Sequence, residues 1–174
     1  MSSNEHTLVK RAQQGDVDAF ETLYRTHVAA VYGLCKRLLT KQADAEEVCQ
    51  EVFIKAWRHI EQFNMRAQFS TWLYRIASNE AIGRLKQESR WQQSTSFDEE
   101  HVHDEPPVSH LNAEQSLVLE GAIAQLPDRA RAVLILFDVL GYSHDEIASV
   151  SGIAPGTSRA HLHSARAKLK GQLR

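Results

Sequence analysis

A chain of 174 residues has room for one ordinary domain or two small ones. Its composition, 43% hydrophobic and 24% charged, excludes a disordered chain, and the longest apolar run, Ala132 to Phe137, is far too short to span a bilayer. The net charge of −2 conceals a division: twelve Lys/Arg against ten Asp/Glu over 1–86, one against seven over 87–116, and seven against five over 117–174. Two mildly basic modules flanking an acidic segment permit nucleic-acid binding without demanding it. No basic-then-apolar leader opens the sequence, so residence in the cytoplasm is expected.

In chain order, the first module reads as helix. Ala19, Phe20, Leu23, Tyr24, Val28, Val31, Tyr32, Cys35, Leu38 and Leu39 recur at three- and four-residue steps and form one buried stripe. A second stripe, Ala45, Val48, Cys49, Val52, Phe53, Ala56, Trp57 and Ile60, keeps that period. Asp44, Glu46 and Glu47 are expected in its first turn, where the helix dipole favours negative charge. The two cysteines, Cys35 and Cys49, lie within these stripes and are expected as buried thiols rather than redox or metal groups. A loop over 62–68 separates this helix from a third, which begins at Ser70 or Thr71 and runs to about Gln87.

Periodicity then stops. Residues 88–112 hold Ser94-Thr95-Ser96, Asp98-Glu99-Glu100 and Pro106-Pro107, the composition of a flexible acidic linker. Helices resume over roughly 113–126 and 128–140, with stops at Pro127 and Gly141. Ser143 with Glu146 three residues on is a capping box that starts another helix. Gly152 breaks it, and Pro155 opens a last helix running to Leu173. Two helices joined by a short Gly-containing turn make a helix-turn-helix, spanning about His144 to His163, whose second helix enters the major groove. Arg159, Arg166, Lys168, Lys170 and Arg174 follow Thr157 with no Asp or Glu among them, which suits phosphate neutralisation. The fold class is therefore all-α: two small helical domains, 1–87 and 113–174, joined by a flexible acidic linker over 88–112.

Three segments resemble one family. Asp44 to Trp57 (DAEEVCQEVFIKAW) resembles the core-polymerase-binding helix of bacterial sigma factors, and Phe69 to Asn79 (FSTWLYRIASN) the helix by which small sigma factors read the −10 element. Leu126-Pro127-Asp128-Arg129, with Gly141 to Ile147 and Gly156-Thr157, resembles their −35-reading domain. Order, spacing and linker match the extracytoplasmic-function group of the sigma-70 family, over about 8–87 and 112–172. The resemblance implies a dissociable specificity subunit that brings core RNA polymerase to promoter DNA and helps open the duplex. It also implies an anti-sigma protein as partner, commonly membrane-bound in this group. No enzyme, cofactor, metal or small-molecule substrate is expected, since no Ser-His-Asp set, glycine-rich phosphate loop or carboxylate pair emerges.

Site residues follow from the same resemblance. Glu47, Gln50, Glu51 and Lys55 point outward at helical spacing; on spacing alone that is an ordinary solvated face, and the resemblance makes it the core-polymerase surface. Asn64, Met65 and Arg66 stand where the family captures one flipped base of the −10 element. Arg75, Asn79 and Lys86 share a face of the next helix, Asn79 suited to a base edge and the cations to phosphates. Trp72 is open to two readings, core or base stacking. On the last helix Ser158, Leu162, Ala165 and Leu169 form the buried stripe. Arg159, Ala160, His163 and Ser164 are the −35 reading positions, with Thr157 and Arg166 as backbone contacts. Arg159 suits either a guanine edge or a phosphate.

The chain departs from the family in three places: Ala154 where a capping residue is usual, His161 where Arg is common, and Ser164 where Arg or Lys is. Two weakened contacts imply a weak or unusual −35 preference, not loss of binding. They also lend some weight to a second reading, a sigma-like adaptor that binds an anti-sigma protein without reading promoters; the Gln50-Glu51 face and the Asn79 helix oppose it. The pairs His101/His103 and His161/His163 are each spaced by two: on a helix the second is a poor chelate, and in the flexible linker the first could bind metal but has no Cys or third His fixed nearby.

Overall fold

The computed structural model describes residues 3–88 and 113–172, and every regular element among them is helical. The expected acidic linker, with His101 and His103, lies outside the described residues apart from Glu88. The chain divides into two compact units between Ala81 and Ile82, inside a helix that continues unbroken to Gln87. A continuous helix gives the sequence no break to mark that division, which is why periodicity placed the boundary at the helix end.

The first unit contains α1 (Ser3–Gln13), α2 (Val17–Leu38), α3 (Gln42–His59), a 3-10 turn (Ile60–Gln62) and the start of α4 (Phe69–Gln87). Helix α1 was not read from the sequence; its signal, Leu8, Val9 and Ala12, is short, yet Val9 and Ala12 are buried. Gly15, at φ +87°, reverses the chain after α1 in the left-handed region that glycine enters without penalty. Asp16 then caps α2, its carboxylate accepting the Ala19 N–H at 3.0 Å and the Arg11 Nε–H at 2.8 Å. Those two donors, the backbone one first, hold the Asp16 carboxyl below its ordinary value.

Helices α2 and α3 meet along the two expected stripes, with Leu23, Val31, Cys35 and Leu38 facing Ala45, Val48, Val52 and Ala56 in the core. Ring pairs Phe20–Trp57 and Tyr24–Phe53, 4.9 and 4.8 Å between centroids, fasten the same pair of helices. Tyr24 departs from the expected stripe: it is 41% exposed, one ring edge packed on Phe53 and the rest in solvent. Helix α3 begins earlier than expected, at Gln42, so that of the three acidic residues only Asp44 stays in the first turn. Both cysteines are buried and unbridged. Burial pushes the Cys35 thiol up to about 12 and raises Cys49 as well, so neither offers a thiolate near neutrality.

The second unit contains α5 (Ala113–Ala124), α6 (Asp128–Leu134), a π-helical segment (Ile135–Val139), α7 (His144–Ser151) and α8 (Pro155–Gln172). The span expected as one helix over 128–140 is thus two forms in series. Arg131 is a large buried polar group, 1% exposed. It is satisfied by donating to the Leu126 carbonyl at 2.9 Å and to Asp128 at 2.6 Å. The capping box of α7 forms as read: the Ser143 N–H donates to the Glu146 carboxylate at 2.9 Å and the Glu146 N–H to Ser143 Oγ at 3.3 Å. Gly152, at φ +68°, closes α7 in the left-handed region. Ser143→Ala is expected to lower stability by about 1 kcal/mol in chemical denaturation, while Ser143→Thr keeps most of it; an unchanged Ser143→Ala midpoint would remove the box from this account.

Candidate polymerase and nucleic-acid interfaces

The structure groups the sequence-predicted residues into three surfaces. On α3, Glu47, Gln50, Glu51 and Lys55 are all exposed on one side, because the buried stripe takes up the other. Lys55 is tied down, its ammonium pairing with Glu80 of α4 at 2.6 Å, and the exposed Glu47 and Glu51 carboxylates outnumber it on this face. Two apolar groups missed by the sequence reading join it, Ile54 at 50% exposure and Tyr24. Beside Gln50 lies a shallow open hollow of about 290 Å³ lined by Tyr24, Val28, Ala29, Tyr32, Glu46 and Cys49. An amphiphilic face of carboxylates around apolar patches suits a protein partner better than a polyanion.

The second surface is the loop between the 3-10 turn and α4. Asn64 and Arg66 are exposed and Met65 half-buried. Asn64 Oδ1 accepts the Arg66 N–H at 3.1 Å, a side-chain turn that leaves Met65 at φ +58°. Among the described residues Met65 is the one non-glycine in that left-handed region, a conformation that long side chains adopt at a cost and that recurs at functional sites. The loop is rooted in an aromatic cluster. Buried Phe63 packs against Phe69 and Trp72 at 5.6 and 5.1 Å, and Phe69 meets His27 of α2 edge-on at 5.5 Å. Trp72 is half-buried, one part of its ring in this cluster and the rest at the surface. His27 is held in turn by Glu5 of α1 at 2.8 Å.

A polar contact absent from the sequence reading reaches the same root. Gln13, the last residue of α1, donates its side-chain amide to the carbonyls of Ile60 and Phe63 at 2.9 and 2.8 Å. Only the fold reveals it, since 47 and 50 residues separate the partners. Along α4, Arg75, Asn79 and Lys86 are exposed as expected.

The third surface is the outer side of α8. Thr157 and Arg159 are exposed, and Ala160, His163, Ser164 and Arg166 half-exposed. The Arg166 guanidinium is already engaged. It meets both oxygens of Asp138, at 2.6 and 3.3 Å, and lies 5.7 Å from the centre of the Phe137 ring. Phe137 also stacks on His144 at 4.6 Å, and His144 Nδ1 bonds Ser158 Oγ at 2.9 Å. The π-helical segment, the start of α7 and the start of α8 are thereby fixed to one another by polar and ring contacts.

The buried stripe of α8 is Ser158, Leu162, Ala165 and Leu169, as read, and His161 joins it at 2% exposure. This corrects the sequence reading of His161 as a weakened DNA contact: the position faces the core, one turn from Ser158 and Ala165. Burial, with a smaller share from the Arg129 guanidinium, pushes His161 down to about 4, so it is neutral near pH 7. Among the described residues no cluster of His, Cys, Asp or Glu is placed to hold a metal ion, and no helix is long and apolar enough to cross a membrane.

Comparison with known proteins finds two regions of one family along the chain. Residues 23–90 match the family model for sigma-70 region 2, and residues 116–169 that for sigma-70 region 4. The chain is 32% identical to the ECF RNA polymerase sigma factor SigW of Bacillus subtilis (strain 168), over 95% of each chain. It is 31% identical to the ECF RNA polymerase sigma-E factor of Haemophilus influenzae, over 97% of this chain and 95% of that one. Among solved structures it is similar to the sigma factor RpoE of Bartonella quintana, crystallised with the anti-sigma factor NepR. That likeness has a TM-score of 0.57 and 26% identity, covering 88% of this chain and 96% of the other.

The depressed His161 has a consequence for stability. In the unfolded chain its imidazole titrates near 6.5, whereas in the fold it titrates near 4. Between those values only the unfolded chain takes up the proton. Its contribution, about 3 kcal/mol, is therefore complete above pH 6.5 and is lost as pH falls toward 4. Urea denaturation at pH 7 and at pH 4.5 is expected to show a smaller loss for His161→Leu than for the parent chain; equal losses would contradict the assignment.

Proposed function

Because the chain belongs to the extracytoplasmic-function group of the sigma-70 family of RNA polymerase sigma factors, we propose that its three exposed surfaces divide one task, promoter-directed initiation by core polymerase. Residues 1–87 act as the core-binding and −10-reading domain, 113–174 as the −35-reading domain, and 88–112 as the tether. Glu47, Gln50 and Glu51 bind the core enzyme, with Lys55 and its Glu80 partner at the margin of that face. Asn64, Met65 and Arg66 capture a base extruded from the melted −10 element. Asn79 reads an adjacent base edge, and Arg75 and Lys86 hold phosphates.

On α8, Arg159, Ala160, His163 and Ser164 face the −35 major groove, and Thr157 and Arg166 bind its backbone. For Arg166 this means sharing a guanidinium with Asp138, a smaller electrostatic gain than a free cation gives. The chain carries out no reaction of its own, uses no cofactor, works in the cytoplasm and is held in reserve by an anti-sigma protein.

The observation that carries this reading is the pairing, in order, of both family regions with exposed polar faces at the family's contact positions. Buried His161 removes one of the two substitutions that favoured a promoter-blind adaptor, leaving Ser164 alone on that side.

Core polymerase freed of sigma factors, mixed with this chain and genomic DNA, is expected to start transcripts at discrete sites behind shared upstream elements. Scattered starts at background level, alongside tight binding to an anti-sigma protein, would favour the adaptor. Arg159→Ala is expected to reduce initiation at such promoters about tenfold. A loss confined to one −35 base pair marks a base contact. A uniform loss, with a salt dependence shallower by about one unit, marks a phosphate contact.

A further inference from the structure

We infer that Gln13 is a positioning residue for the base-capture loop: its side-chain amide, on a helix remote in sequence, fixes where Asn64, Met65 and Arg66 stand. This rests on reading that loop as the pocket for the flipped −10 base. The loop has little to hold it from within. Asn64, Arg66, Ala67 and Gln68 are exposed, and the Asn64 Oδ1 contact to the Arg66 N–H shapes the tip without anchoring it. Its placement must come from the root, where the chain leaves the 3-10 turn.

Two carbonyls lie there, of Ile60 and Phe63. Carbonyls at the end of a helical run lack the next turn's N–H groups, and buried ones need other donors. Phe63 N–H reaches the Ile60 carbonyl at 3.1 Å, and Gln13 supplies both carbonyls through the two hydrogens of one Nε2. The amide can be oriented only this way, since its oxygen would otherwise face two oxygens. One side chain thus clamps both ends of the turn that launches the loop. Gln13 is itself fixed, as the last residue of α1 before the Gly15 reversal and the Arg11–Asp16 pair. The path of constraint runs from the α1–α2 turn through Gln13 to Phe63, and from there to Met65 at its left-handed φ.

The test uses the full chain with core polymerase and promoters carrying each of the four bases at every −10 position. Gln13→Glu keeps the shape and sets a carboxylate against two carbonyl oxygens; Gln13→Met keeps the length and removes both donors. Each is expected to lower discrimination among the four bases at the captured position about fivefold to tenfold, with −35 preferences and affinity for core unchanged. Gln13→Lys, which restores a donor, is expected to recover part of it. Met65→Ala and Arg66→Ala serve as the reference for the loop. If they relax discrimination and both Gln13 variants leave it intact, the positioning role is wrong and the loop reading survives. If the Gln13 variants depress all promoters in equal proportion, following a fall in thermal midpoint, Gln13 is structural only and the inference is overturned. Should the loop variants leave discrimination unchanged, the loop reading fails and takes this inference with it.

Discussion

A helix with 3.6 residues per turn can bury one stripe, and once that stripe is chosen every other side chain has its direction assigned. In α8 the stripe runs through Ser158, His161, Leu162, Ala165 and Leu169. Arg159 and His163 are thereby turned outward together. In α3, burying Ala45, Val48, Cys49, Val52 and Ala56 leaves Glu47, Gln50 and Glu51 in water. The exposed faces are what remains when two small cores have been packed, and they move only if the cores do.

Small cores leave irregular backbone close to buried ground, and here long polar side chains deal with it. Arg131 spans from α6 back to the Leu126 carbonyl, and Gln13 spans from α1 to the 3-10 turn. Each is half or more buried and each donates to carbonyls at the edge of a helical run. Such contacts are worth little in net stability but are costly to leave unmade, so they specify geometry more than they add to folding free energy. The ring contacts work alongside them. Phe63, Phe69 and Trp72 set the base of one loop, and Phe137 with His144 sets the angle of the helix-turn-helix.

Elements governed by local rules were legible in the chain. The period of the α2 and α3 stripes, the Ser143–Glu146 box and the Gly152 stop all depend on residues within a few positions of one another. Helix α1 was missed because its apolar signal is only Leu8, Val9 and Ala12. The π-helical segment was missed because an unbroken apolar run such as Ala132 to Phe137 looks the same in either helical form. Tyr24 and His161 were misplaced for a related reason: residue type predicts burial only on average, and an aromatic ring at a stripe's edge or an imidazole inside a core is decided by packing. The sequence placed these side chains on the outer sides of their helices, where they are exposed or half-exposed, while the engagements of Lys55 with Glu80 and Arg166 with Asp138 are tertiary and have no sequence signature.

The π-helical segment Ile135–Val139 holds one residue more per turn than an α-helix would, and it is followed by Leu140 whose N–H reaches back to the Ile135 carbonyl. An extra residue in a turn behaves as an insertion accommodated without a loop. Everything beyond it is rotated by about 100° relative to an uninterrupted α-helix. Within the wider turn itself lie Phe137 and Asp138, the ring under His144 and the carboxylate on Arg166. A descendant chain that lost a single residue here could keep its hydrophobic core and its recognition helix, yet its helix-turn-helix would be phased differently against the rest of the domain. Length, at this one place, fixes the phase of the helix-turn-helix within its own domain.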